Sequence, residues 1–281
     1  MRHKPLGTND RDTEGRGRTA LITGASSGIG RCLTELLAAK GYDVVPVARR
    51  RERLDALAED VQQRWEVSAR PIVADLAEPD SVTQIFTELQ HRHTQVDVLV
   101  NNAGYTLGGR FAETVWDDQE RFLRVLALAP TELTHCLLPG MIERRWGRIL
   151  NVASISALAP SSPQSVLYCA SKSLLHKFTE GLAIENAEHN VTCTVSMPGF
   201  TATEIFQASG WGGGIENSRT VRALMMAPET VARQAYSAMM AGRPTVVHGW
   251  QHKTIGLLWL HAPPPIRRRL SAFTAHLPLD H

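Results

Sequence analysis

The sequence predicts an α/β protein with a doubly wound parallel sheet, in one domain followed by a C-terminal helical extension. Three observations carry this prediction. Short apolar runs alternate with stretches of helical apolar spacing along most of the 281 residues, the order that builds a parallel sheet with helices on both faces. A glycine-rich turn, Thr23-Gly-Ala-Ser-Ser-Gly-Ile-Gly30, falls between the first strand and the first helix. No repeat or linker-like stretch divides the chain.

Taken in order, Thr19–Thr23 is a short apolar run stopped by Gly24, a buried-strand signal. Ile29, Cys32, Leu33, Leu36 and Leu37 recur at helical spacing through Lys40, and Gly41 ends that helix. Asp43–Ala48 reads as a second strand. Arg50–Arg64 is a helix with Leu54, Leu57, Ala58 and Val61 on one face. Pro71–Ala74, Ser81–His91 and Val96–Val100 follow as strand, helix and strand. After Asn101 the elements lengthen: a mostly helical Trp116–Arg145, a strand Gly147–Ala153, a helix Gln164–Glu188 and a strand Val191–Ser196. Thr201–Met226 has no clear period and contains Gly212-Gly213-Gly214. Pro228 opens a helix to Ala241, and Thr245–His248 is the last strand.

Composition excludes several classes. Hydrophobic residues are 43% and charged residues 21% of the chain, which is globular rather than disordered. Lys plus Arg is 30 and Asp plus Glu 28, a formal charge of +2, so no net field gathers nucleic acid. Cys32, Cys136, Cys169 and Cys193 lie far apart, which excludes a zinc ribbon and a disulfide scaffold and fits a cytoplasmic protein. No metal-ligand spacing appears. Residues 1–18 mix five basic and three acidic side chains without an apolar stretch, so they read as a flexible tail and not a secretory signal. No run approaches the roughly 18 apolar residues of a spanning helix. In residues 251–281 the run Ile255–Leu260 is short, with Pro263-Pro264-Pro265 and Arg267-Arg268-Arg269 beyond it. It reads as a helix packed on its own domain or on a sister subunit. The competing reading is a membrane-surface contact with Trp250 and Trp259 as anchors.

Two sites carry chemistry. Glycines 24, 28 and 30 let the backbone turn tightly against a pyrophosphate, and the following helix aims its free N–H groups at the anion. At the end of the second strand, where an acidic residue would bind a ribose 2′-hydroxyl, the sequence has Ala48-Arg49-Arg50-Arg51. Arginine pairs instead with a 2′-phosphate, so the expected cofactor is NADP(H), with Arg49 as the contact. The second site is Tyr168-Cys-Ala-Ser-Lys172, a phenol and an ammonium on one helix face. A nearby cation favours the phenolate and makes Tyr168 an acid/base. Ser154, at the end of the Gly147–Ala153 strand, is placed to donate to a carbonyl oxygen as it gains charge.

Thr23–Gly30, Asp75-Leu76, Asn101-Asn-Ala-Gly104, Ser154, Tyr168–Lys172 and Pro198-Gly199 together resemble the ordered motifs of the classical short-chain dehydrogenase/reductase family, in its NADPH-preferring bacterial-type branch. The likeness runs from about Thr19 to Gly249. It implies a seven-stranded Rossmann fold over residues 19–250 and hydride transfer between NADP(H) and a carbonyl or alcohol carbon. It implies catalytic roles for Ser154, Tyr168 and Lys172, with Lys172 lowering the Tyr168 pKa and holding the nicotinamide ribose. The implied cofactor set is Gly24, Ser26, Ser27, Gly28, Ile29, Gly30, Arg49, Asp75, Leu76, Asn102, Ala103, Gly104, Tyr168, Lys172, Pro198, Gly199, Thr201 and Thr203. Within it Asp75 contacts the adenine. Asn101, Ala103 and Gly104 line the adenosine side and brace the sheet. Residues 201–226 would be the substrate lid, and Trp211, Ile215, Leu224, Met225 and Met226 suggest an apolar substrate. The two long helices would pair in a homodimer or homotetramer.

The sequence departs from the family at Leu126, where an asparagine supports a proton-relay water through its main-chain carbonyl. Pro130, four residues on, has no N–H to bond that carbonyl, so the carbonyl is expected to be free for the same water. The Ser154–Tyr168 spacing is one residue longer than usual. His176 and Cys169 are expected to pack rather than react. The alternatives are a dinucleotide-binding member performing a non-redox step, or a non-catalytic sensor or scaffold.

Overall fold

The computed structural model describes residues 14–161, 164–202 and 225–261, with 263, 265 and 266. Seven parallel strands form one sheet in the order β3-β2-β1-β4-β5-β6-β7. They are β1 (Thr19–Thr23), β2 (Asp43–Ala48), β3 (Ile72–Val73), β4 (Val98–Asn101), β5 (Gly147–Val152), β6 (Val191–Met197) and β7 (Thr245–Val247). The helices are α1 (Gly28–Ala39), α2 (Arg51–Trp65), α3 (Ser81–His91), α4 (Trp116–Leu123), α5 (Ala129–Glu143), α6 (Val166–Glu185), α7 (Pro228–Met240) and α8 (Trp250–His261).

The central strands are apolar on both faces, as a sheet covered on both sides requires. Leu21, Leu99 and Ile149 point to one side, where they pack with Phe122, Leu133 and Met141. Ile22, Val100 and Leu150 point to the other, against Leu33 and Leu37 of α1, Leu54 of α2 and Met239 of α7. Register runs from Thr19 beside Asp43 to Val98 beside Arg148. The strand order reverses direction between β1 and β4, and the crevice above their carboxyl ends is where such sheets bind ligands.

Two elements differ most from expectation. The third strand keeps only two residues: it is the edge of the sheet, and Pro71 has no N–H to give a ladder. The long helix after Asn101 is interrupted at Arg124–Leu128 by a π-helical segment in which the Ala129 N–H reaches back to the Arg124 carbonyl. Pro130 follows immediately and cannot donate to a regular i→i−4 ladder. That helix, Trp116–Glu143, is also long and apolar enough to span a membrane by composition alone, contrary to the sequence expectation. Its apolar inner face, with Phe122, Leu126, Leu133 and Met141 almost fully buried, belongs to the core.

Beneath the crevice, Asn101 braces four elements. Its Nδ2 donates to Asn151 Oδ1 at 2.9 Å and faces the Pro130 carbonyl and Thr134 Oγ1 at 3.2 Å. Asn151 Nδ2 donates onward to Thr179 Oγ1 at 2.8 Å. β4, β5, α5 and α6 are thereby fixed relative to one another beneath the reactive end of the cleft.

Candidate active site

One cleft of about 340 Å³ opens at the β1/β4 switch point. At its β1 end the chain leaves Thr23 and turns through Gly24, with φ +67°, to Gly28, with φ +54°. A Cβ on Gly24 would meet the Ala103 Cα at 2.8 Å, so the close approach of these two segments requires glycine there. Gly30 lies beneath the turn, against Asn102 Nδ2 and the Gly24 carbonyl, and does not itself line the cleft. Thr23 Oγ1 straps the two segments together. It accepts from the N–H groups of Asn102 (3.0 Å) and Ala103 (3.1 Å) and donates to the Val100 carbonyl (3.3 Å). The first turn of α1 has no acidic residue and no side-chain cap. Its orphan N–H groups and positive dipole end face the cleft, which suits an anion.

Two arginines stand over that turn. Arg50 donates from Nη2 to Ser26 Oγ at 3.0 Å and Ser27 Oγ at 3.2 Å. Arg49 instead points to Asp75, Nη1 to Oδ2 at 3.9 Å. The sequence singled out Arg49, but Arg50 makes the closer contact with the glycine turn, and both line the cleft. Asp75 also pairs with Arg121 at 3.2 Å and accepts the Ala77 N–H at 3.0 Å. Arg121 escaped the sequence reading because only the fold brings α4 to this edge.

At the other end, β5 delivers Ser154 and α6 delivers Tyr168 and Lys172. Ser154 Oγ accepts the Ser156 N–H at 3.1 Å, which fixes its direction, and it is hydrogen-bonded to the Tyr168 hydroxyl. Lys172 Nζ donates to the Val152 carbonyl at 2.9 Å and sits 5.8 Å from the Tyr168 ring centroid. Burial pushes the Tyr168 phenol above its ordinary value, and the Ser154 hydrogen bond pulls it partly back. The expectation that Lys172 lowers it is not met here. Burial dominates, and it also pushes the Lys172 ammonium down to about 8. Tyr168 is therefore a protonated phenol at neutral pH, the form that donates a proton. A point beside Gly104 lies 3.7 Å from Lys172 Nζ and 3.9 Å from Leu126 Cγ. Lys172 and Leu126 thus both approach Gly104 from the cleft side.

Gly24, Ser26, Ser27, Gly28, Ile29, Arg49, Asp75, Leu76, Asn102, Ala103, Gly104, Pro198, Gly199 and Thr201 line the same cleft as Ser154, Tyr168 and Lys172. Asn101 does not; it faces the buried brace. Thr203, Trp211, Ile215 and Leu224 lie outside the described residues. The neck of the 201–226 segment is tied, since Met226 N–H donates to the Phe200 carbonyl (2.9 Å) and Ala202 N–H to the Met226 carbonyl (3.1 Å). Cys169 is buried, and His176 is nearly so, with Nε2 3.1 Å from Glu180. Among the described residues no group of His, Cys, Asp or Glu is placed to hold a metal ion.

A doubly wound sheet with a glycine-turn anion site at one end of a cleft and a Ser–Tyr–Lys cluster at the other defines a dinucleotide-binding oxidoreductase class. Residues 18–211 match the short chain dehydrogenase family model, and the chain belongs to that family. The 3-oxoacyl-[acyl-carrier-protein] reductase FabG of Aquifex aeolicus is 34% identical over 190 residues, covering 68% of this chain and 76% of the relative. An "Inactive hydroxysteroid dehydrogenase-like protein 1" of Homo sapiens is 29% identical over 240 residues, covering 84% of this chain and 69% of the relative. Among solved structures, a short-chain dehydrogenase from Sphingobium yanoikuyae in complex with NADPH superposes with a TM-score of 0.76 at 26% identity, covering 91% of this chain and 95% of that one.

Proposed function

We propose that this oxidoreductase is an NADPH-dependent carbonyl reductase acting on an apolar ketone or aldehyde, with the reverse alcohol oxidation open to it. The observation that carries the reading is the Ser154–Tyr168–Lys172 cluster in one cleft with the glycine turn. The cofactor supplies hydride from the nicotinamide C4. Every other requirement falls to the chain. The α1 N-terminus and the Gly24–Gly28 turn hold the pyrophosphate. Arg50 and Arg49 hold a 2′-phosphate through charge-assisted bonds, and Asp75 and Leu76 flank the adenine. Ser154 fixes the substrate oxygen, and Tyr168 donates its proton to that oxygen as negative charge develops. Lys172 holds the nicotinamide ribose, and Pro198, Gly199 and Thr201 border the nicotinamide. Met225 and Met226 at the neck of the 201–226 lid favour an apolar substrate. NADPH bound to the Sphingobium relative supports the choice of cofactor. Burial pushes the Cys32 and Cys193 thiols up to about 12, and a reducing cytoplasm, where thiols persist, is part of this reading.

Proton supply to this site runs past Leu126. The π-helical segment and Pro130 leave that stretch without a regular hydrogen-bond ladder, which supports a relay water held by main-chain carbonyl rather than by a side chain.

A second reading, a dinucleotide-binding protein that carries out a non-redox step or no step, draws on Leu126 and on the relative named inactive. The two part on one experiment. The protein is incubated with 4-deuterated NADPH and a panel of apolar ketones and aldehydes, and the alcohol products are examined by mass spectrometry. Deuterium in the product carbinol, lost in Tyr168→Phe by about a hundredfold or more, supports the reductase. Conversion without deuterium transfer, or NADPH binding with no turnover across the panel, supports the second reading.

A further inference from the structure

The last helix, α8, is apolar on two opposite sides, and the fold covers only one of them. On the inner side His252 is 2% exposed and its ring rests on Gly199, a residue of the cleft wall. His252 Nδ1 is 3.0 Å from the His248 carbonyl, and His248 is itself fully buried between Ser196 and Gln234. One turn on, Gly256 lets the helix approach the turn after Ser154; a Cβ there would meet Leu158 at 3.2 Å and Ile155 at 3.9 Å. The helix is thus held against both loops that flank the reactive end of the cleft.

The outer side carries Trp250 (74% exposed), Leu257 (60%), Leu258 (64%) and Leu260 (58%). At 100° per residue Trp250 and Leu257 form its centre and Leu258 and Leu260 its two borders, with Lys253, Thr254 and His261 between them. Trp259, half-buried, belongs to the inner side and is no anchor. Large apolar side chains this exposed on one side of a helix mark a surface that meets an apolar partner.

Charge selects what covers the bare side. The face itself carries Lys253 and no acidic side chain, and the sequence from 230 to 279 contains no acidic residue either. We propose that the outer face of α8 docks on an anionic lipid surface, with Trp250, Leu257, Leu258 and Leu260 in the acyl boundary and Lys253 among the headgroups. A second copy of the chain fits less well. Twelve residues make a face about 18 Å long and about 10 Å wide, about 180 Å² of contact, against about 800 Å² per partner in a stable interface. Docking on this face sets α8, whose inner side packs on Gly199 of the cleft wall, against the bilayer. The surface proposal itself stands whether or not the reductase reading does.

The test is flotation of the full chain with vesicles of phosphatidylcholine alone and of phosphatidylcholine with phosphatidylglycerol, at low and high salt. Expected is binding to the anionic vesicles, weakened by salt. The Leu257→Ser/Leu258→Ser double variant should weaken it at least about tenfold and Lys253→Glu severalfold, with NADPH affinity unchanged in both. NADPH affinity reports that the variants are folded and is read separately from the lipid result. The proposal is overturned by absence of binding to anionic vesicles at low salt, or by binding that the double variant leaves intact. Loss of self-association in the double variant, without vesicle binding by the parent, overturns it in favour of a second copy.

Discussion

Lys172 concentrates the chemistry and the cost of this site in one side chain. Its ammonium is buried, donates to the Val152 carbonyl and is held near 8. If the charged form serves the reaction, kcat/KM for carbonyl reduction falls as pH rises through about 8. Leu126→Asn supplies the amide that the family resemblance implies at this position and should move that limb to higher pH in a pH–rate profile; an unmoved limb contradicts the role given to Leu126. Stability follows from the same displacement. The folded-state value lies below the ordinary 10.5, so the unfolded chain binds this proton more tightly. The penalty is full below about pH 8 and is relieved as pH rises from 8 to 10.5, on the order of 3 kcal/mol. Lys172→Met should therefore stabilise the fold at pH 7, less about 1 kcal/mol for the Val152 carbonyl left unpaired. It should also abolish the gain between pH 8 and 10.5 in denaturant titrations. A variant less stable than the parent at pH 7 would show that the hydrogen bond outweighs the buried charge.

Among the elements, the helix interrupted at Arg124–Leu128 is the unusual one. Pro130 removes one N–H, and the ladder answers by shifting to i→i−5 over one turn. Pro130→Ala restores a donor and lets the ladder close. If the freed main-chain carbonyl holds the relay water, the variant loses severalfold to tenfold in kcat with its melting temperature unchanged or raised. Full turnover in a folded variant rules the relay out. The proline was legible in the sequence; the register shift was not, because it depends on how Leu126 and Leu133 seat against the sheet. The same division holds elsewhere. β1, β2 and α3 keep their expected limits, since apolar runs stopped by glycine or bounded by polar residues are local signals. The third strand shortened because edge pairing is a property of the sheet. The reach of Arg50 to Ser26 and Ser27, and of Arg121 to Asp75, spans separate elements that only the fold brings together.

At the scale of the whole molecule, exposed apolar side chains gather on the long helices. Leu128 at the end of the π segment, and Leu174 and Ile184 of α6, are 53%, 46% and 80% exposed. Two such helices facing their copies across a two-fold axis would cover these residues, so Ile184→Asp should shift the sedimentation of the protein from dimer or tetramer towards monomer. A parent that is already monomeric removes this pairing from the account. The fold class and the gathering of the motif residues about one cleft were legible because each motif is short and local. The tie of Phe200 and Ala202 to Met226 was not, because residues 201–226 carry no period.

Preference for a 2′-phosphorylated dinucleotide is the central proposal, and the direct measurement is calorimetric titration with NADPH, NADP⁺, NADH and NAD⁺ at one fixed salt concentration. Charge-assisted bonds from Arg49 and Arg50 are worth about 1.5–3 kcal/mol each, so the phosphorylated pair should bind at least about tenfold more tightly, and Arg50→Ala should erase most of that margin. Equal affinity for the two pairs, or a preference for NADH, would contradict the reading of the Arg49-Arg50 turn. A folded protein that binds none of the four would contradict the cleft itself.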